Sequence, residues 1–225
     1  MRTKMMSAAI LAAAATNVLA GSPNLATNGS FETPGPGFVL FQGWENYGNV
    51  FDDGAVDVGA HDGNVAVKMF GGFPGPGIQS DQVLLQTVTG ITPGTTYTLS
   101  AQLQQNSADL LGSGNLILLQ MVFQNSTGGN IEVLDQPVLE AGSALDSWIQ
   151  YDITGIAPPN TDRILIALLH LQLDGTSAGA SFWDSISLTE GPAGCGNPAD
   201  FDGNGVLNFF DISSFINAYQ QGCNP

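Results

Sequence analysis

The chain has 225 residues, with 4 Lys and Arg against 20 Asp and Glu, a formal net charge of −16. So few cations leave no basic patch to neutralise phosphates, which argues against nucleic acid and against anionic lipid as partners. A neutral polymer or a cation is the natural partner, although acidity also serves solubility alone.

In chain order, the first 20 residues read as an export signal. Arg2 and Lys4 open it, an apolar run covers 5–15, and Val18-Leu19-Ala20 forms a small-residue cleavage site, so the mature chain is expected to start at Gly21. Losing those two cations moves the charge from −16 to −18 and leaves Lys68 and Arg163 as the basic residues. No later segment reaches the roughly 18 apolar residues of a membrane span, so a secreted or cell-surface protein is expected.

Residues 21–189 are long enough for one all-β domain. About ten strand-like runs separated by Gly, Pro, Asn and Asp predict a sandwich of antiparallel sheets. Among them are 64–70, 82–89, 95–104, 115–124, 147–154, 163–173 and 180–188. In 95–104 the alternation sets Tyr97, Leu99, Ala101 and Leu103 on one side and Gln102 and Gln104 on the other. In 115–124, Gln120 and Gln124 oppose Ile117, Leu119, Met121 and Phe123. In 163–173, Leu165, Ala167, Leu169, Leu171 and Leu173 form an apolar row, and His170 and Gln172 end the other. Gln102, Gln104, Gln120, Gln124, His170 and Gln172 are therefore expected to line one face. Amides donate and accept hydrogen bonds, which suits sugar hydroxyls, and the same row reads equally as the wet side of a sheet.

Gly175-Thr176-Ser177-Ala178-Gly179 fits GxSxG, but a strand follows it where a nucleophile elbow needs a helix, so it reads as a hairpin loop. His61 and His170 lack metal-binding spacing. Acidic pairs of glycosidase type are inevitable among twenty carboxylates and discriminate nothing. No catalytic residue is assigned.

A short linker at 190–194 leads into a tail, 195–225. There Asp200, Asp202, Asn204, Gly205, Asn208 and Asp211 hold positions 1, 3, 5, 6, 9 and 12 of a twelve-residue calcium loop. Side-chain oxygens would come from Asp200, Asp202, Asn204 and Asp211, a carbonyl from Val206, and a water position from Asn208. Ile212, Phe215, Ile216 and Tyr219 then mark one stripe of a helix that ends at Gly222. Cys195 and Cys223, the only two cysteines, bracket this unit. In an oxidising compartment a bridge between them would contribute roughly 3–4 kcal/mol to a tail too small for a core of its own.

The tail, CGNPADFDGNGVLNFFDISSFINAYQQGC, resembles one repeat of a type I dockerin, which carries two. The resemblance implies Ca²⁺ binding and a protein receptor for the tail. Upstream, NLATNGSFE at 24–32, Gly43-Trp44, QTVTGITPGTTYTLS at 86–100 and SFWDSISL at 181–188 resemble the landmarks of jelly-roll carbohydrate-binding modules. Those are families four, nine and twenty-two of the galactose-binding-like group. That resemblance implies a jelly-roll β-sandwich and a structural calcium at Glu32 and Asp184. It also implies a neutral polysaccharide or other glycan as ligand, with Trp44, Tyr47, Phe70 or Phe73 as sugar platforms, while Trp148 and Trp183 belong to the core. The sequence thus predicts a non-catalytic glycan-binding protein with a calcium-loaded tail. A structural or adhesive envelope protein and a small glycan-active enzyme stand as alternatives.

Overall fold

Two five-stranded antiparallel sheets pack face to face in a jelly-roll β-sandwich. The computed structural model describes residues 22–191 and 209–220, so the export signal lies outside the described residues. The front sheet has the order β1 (Glu45–Tyr47), β4 (Ser80–Thr89), β9 (Arg163–Gln172), β6 (Asn115–Gln124) and β7 (Asn130–Pro137). The back sheet has β2 (Val50–Asp52), β3 (Val67–Phe70), β10 (Ala180–Glu190), β5 (Thr96–Gln104) and β8 (Ile149–Ile156). One helix, α1 (Phe209–Gln220), follows, opening two residues before Asp211.

Alternation fills the core as expected in β5 and β6, whose Tyr97, Leu99, Ala101, Leu103, Ile117, Leu119, Met121 and Phe123 all point inward. On β9 the expectation is reversed. Ile164, Ile166 and Leu168 join the core with His170 and Gln172 in the same inward row, whereas Leu165, Leu169 and Leu171 are only half-buried on the outside. Both rows of β9 carry large aliphatic groups, so hydropathy alone does not say which one is inside.

The first segment is stitched to the last strand. Leu25 N–H donates to the Leu188 carbonyl at 2.7 Å, Ile186 N–H to the Gly29 carbonyl at 2.8 Å, and the Asn24 amide bonds Ile186 and Leu188. A Cβ on Gly29 would stand 1.9 Å from the Ile186 oxygen, so this approach requires glycine. A bulge at Ser185, whose φ is +52°, shifts the β10–β5 register beside Asp184.

Candidate functional site

The glutamines do not form one row. Gln102 and Gln104 lie on the outer side of the back sheet, Gln120 and Gln124 on the outer side of the front sheet, and His170 and Gln172 inside the sandwich. The strands 95–104 and 115–124, expected to share one face, belong to different sheets, and β9 turns its polar row inward.

Each inward amide instead anchors a loop. Gln172 accepts from Phe73 N–H at 3.0 Å and donates to the Ser177 carbonyl at 2.7 Å, tying together the loops before β4 and before β10. Gln82 accepts from Asn49 N–H, and Gln86 fixes Thr27 and Gly43. Gln105 holds Glu140, Ser143 and Leu111. A buried amide that satisfies two or three loop groups is an economical answer to the rule that buried polar atoms must be paired. Outside, Gln120 donates to Asp135 and Gln102 to Gln150 in exposed contacts between neighbouring strands, and the buried Gln124 donates to Asn130.

His170 is fully buried. Its Nδ1 lies 3.0 Å from Ser181 Oγ, which also accepts from Trp183 Nε1–H, and Nε2 has no partner. Burial alone lowers its pKa to about 4, so the ring is neutral at pH 7. A histidine sealed between the sheets reads no ligand.

The aromatic candidates divide. Trp44, 2% exposed, packs 5.3 Å from Phe31 and donates Nε1–H to the carbonyls of Thr27 and Asn28, so it belongs to the core and is no platform. Phe70 is half-buried, stacked 5.2 Å from Phe51, and packs with Trp148 on the small cluster of Val58, Ala66, Ala180 and Phe182 outside the back sheet. Trp183 is in the core as expected. Tyr47 and Phe73 are each about half exposed. The Tyr47 hydroxyl donates to Glu45 at 3.0 Å, and that hydrogen bond to a carboxylate raises its pKa.

Beside β1 the loop 33–44 surrounds an open hollow of about 720 Å³ lined by Pro34, Pro36, Val39, Gln42, Trp44 and Glu45 among others. Pro34 bridges Phe41, and Phe38 stands fully exposed at the tip. Sequence reading passed over Phe38. The available signal was the repeated Pro-Gly-Pro-Gly, at 34–37 beside Phe38 and at 74–77 beside Phe73.

Glu32 and Asp184 hold opposite ends of one loop. Asp184 accepts from the N–H groups of His61 (2.7 Å), Asp62 (2.9 Å) and Ser185 (2.5 Å). Glu32 accepts from Asn64 N–H (2.7 Å) and Val65 N–H (2.8 Å). Gly63 sits between them at φ +74°, where a Cβ would come 2.4 Å from the Glu32 carboxyl. The amide of Asn64, aided by that of Val65, lowers the Glu32 pKa, whereas burial raises that of Asp184 in spite of its three donors. Among the described residues no three His, Cys, Asp or Glu side chains converge, so further ligands at this place would be carbonyls or water.

In the tail, Asp200, Asp202, Asn204, Val206, Asn208, Cys195 and Cys223 lie outside the described residues. Asp211, the twelfth loop position, is buried in the first turn of α1. The 175–179 pentapeptide joins β9 to β10 and presents no strand-to-helix turn. No described helix is long and apolar enough to cross a membrane.

No family model and no curated protein matches this sequence. Solved structures do. A cyclase from Fischerella sp. TAU superposes with a TM-score of 0.55 at 16% identity over 78% of this chain and 98% of the cyclase. A family 61 carbohydrate-binding module, solved with β-1,4-galactotriose, gives 0.50 at 20% identity over 76% of this chain and 100% of its own. The enzymatically active domain of a bacteriophage CBA120 tailspike gives 0.50 at 15% identity, and there this chain spans 21% of the tailspike. These likenesses establish the jelly-roll sandwich, a scaffold shared by sugar-binding modules and enzymes, and function has to be argued from the site.

Proposed function

We propose that this is an exported, non-catalytic glycan-binding sandwich whose ligand site is the hollow beside β1. The observation that carries this reading is an open hollow lined by Pro34, Pro36, Val39, Gln42 and Glu45, with the fully exposed ring of Phe38 on the same loop and the half-exposed Tyr47 bonded through its hydroxyl to Glu45. Rings offer apolar platforms to pyranose faces, amides and carboxylates read hydroxyls, and the volume suits a short segment of polymer. A neutral glycan fits, because the described basic groups are engaged elsewhere: Lys68 with Asp57 and Arg163 with Asp162. The galactotriose-bound module of the same fold supports the ligand class.

Affinity electrophoresis of the full chain through neutral polysaccharides tests the reading. Retardation in at least one gel, weakened about tenfold by Phe38→Ala with Tyr47→Ala, is the expected result. Equal mobility of the parent and the double variant in every gel refutes it. The dispersal of the Gln row favours a second reading, a structural or adhesive envelope protein without sugar affinity, which is the outcome if no gel retards either protein.

Calcium is proposed at two places. At Glu32 and Asp184 the donors are all oxygen, Asp184 is buried without a cationic side chain bonded to it, and a hard cation there would reinforce the junction of first and last segments. In the tail the 200–211 spacing carries the proposal, with the Cys195–Cys223 bridge closing the unit and a protein receptor as its partner. Two separable rises in melting temperature on titrating Ca²⁺ are expected. Asp184→Asn should abolish one and Asp202→Asn the other, and a melting curve indifferent to Ca²⁺ and EGTA would sink both.

A further inference from the structure

The two flanks of the sandwich differ in the length of their edge strands. One is bounded by β1 and β2, of 3 residues each, and the other by β7 and β8, of 8 residues each. A three-residue edge gives another chain little to pair with, whereas a longer one carries a full row of backbone N–H and C=O groups. Among the described residues no strand pairs the far side of β7. After a register shift at its start, β7 runs regularly against β6 from Glu132 to Pro137, with neither Gly nor Pro before Pro137. Ile131 and Val133 are exposed on it, and β-branched side chains suit a strand. By length and composition this edge can take another strand.

The two carboxylates of β7 fall on opposite sides of the sheet. Asp135 is on the outer side, opposite Gln120, whose amide donates to it at 2.6 Å. Glu132 lies opposite the core residue Phe123, in the same inward row as Leu134, which packs against the core, and Glu132 itself is exposed. Neither carboxylate forms an ion pair among the described residues. An inward-directed charge on an edge strand is costly to cover with a further strand.

Two copies joined antiparallel through β7, about an axis normal to the sheet, keep their outer sides together, so the axis passes beside one residue that faces its own counterpart. With the axis beside Glu132, the two Glu132 stand directly opposite; beside Val133, they are diagonal neighbours. With the axis beside Leu134, the two Asp135 are diagonal; beside Asp135, they are directly opposite. Each of these registers therefore brings like charges to about 4.5–5.5 Å or about 7–8 Å between strand positions, which is destabilising. Either carboxylate alone would leave half of them free of repulsion.

We infer that Glu132 and Asp135 close β7 to a second copy of the chain, and that without them the copies join through β7 into one sheet running through both. The inference does not depend on sugar binding.

Sedimentation velocity of the full chain tests it. The parent, and the variant Glu132→Lys with Asp135→Lys, are each expected to be monomeric, because like still meets like. Their equimolar mixture is expected to form a dimer in which amide hydrogen exchange of 130–137 is slowed. Glu132→Gln with Asp135→Asn, where the asparagine oxygen can still accept from Gln120, is expected to self-associate about tenfold more tightly than the parent. Glu45→Gln with Asp81→Asn, which removes two exposed carboxylates from β1 and β4, should change nothing. A mixture that stays monomeric, or a folded amide variant that associates no better than the parent, overturns the inference. So does equal association by the β1 and β4 variant, which would assign the effect to net charge, or a dimer that leaves exchange in 130–137 unchanged. If the lysine variant does not fold, the amide variant decides.

Discussion

The two outer sides of the sandwich differ in kind although each belongs to a five-stranded antiparallel sheet. On the back sheet, β5 and β8 present Thr98 against Thr154, Ser100 against Asp152 and Gln102 against Gln150, with the two threonine hydroxyls 3.0 Å apart. On the front sheet β9 turns Leu165, Ala167, Leu169 and Leu171 outward, beside Gln120 of β6 and Asp81 of β4, and its polar groups have moved into the interior as His170 and Gln172. Alternation by itself therefore fixes a period and leaves the phase open. The phase of β9 is set by what its inward polar groups can bond: Ser181 for His170, and the backbone of two loops for Gln172.

Adjacent residues of β9 break or sharpen the comparison most strongly. Leu168→Glu, which puts a carboxylate in the core, should cost about 4 kcal/mol or more, and Leu169→Glu on the outer face about 1 kcal/mol, by urea denaturation. Equal costs would mean that the strand's phase is wrong. The next largest effect is a pH dependence. His170 has a folded pKa of about 4, below the ordinary 6.5, so the unfolded chain takes up the proton first. Its contribution is complete above pH 6.5 and falls by about 3 kcal/mol as pH drops to about 4. His170→Gln should flatten that limb of the stability profile. Gln172→Ala, which leaves Phe73 N–H and the Ser177 carbonyl without their partner, should cost about 1–3 kcal/mol and speed hydrogen exchange in both loops. Smallest is Gln102→Ala on the wet back face, expected within about 0.5 kcal/mol; a larger loss there would erase the contrast between the faces.

Much of the fold was legible because β5 pairs an apolar row with a polar one, because Gln120 and Gln124 mark the outer row of β6, and because turn residues separate the strands cleanly. The stripe at Ile212, Phe215, Ile216 and Tyr219 announced α1 equally well. The site was less legible. Gln82, Gln86, Gln105 and Gln172 look in sequence like surface amides, and only the tertiary arrangement shows that loops rich in Gly and Pro leave backbone groups for them to satisfy. Trp44 carried the right chemistry for a platform, yet its indole N–H found two carbonyls in the interior. Glu32 and Asp184, far apart in the chain, became partners only through the loop 61–65.

Strand β10 is central in its sheet, flanked by β3 and β5, and it also receives the stitches from residues 24–29. Its place in the order of synthesis is last of the ten. A back sheet that lacks it is two separate pairs, β2–β3 and β5–β8, with nothing between them. Closure therefore waits for nearly the whole sandwich sequence, and contacts so distant along the chain make assembly slow. Until β10 is in place the facing edges of β3 and β5 stay unpaired, so the unfinished sandwich offers two open strand edges to any neighbouring chain.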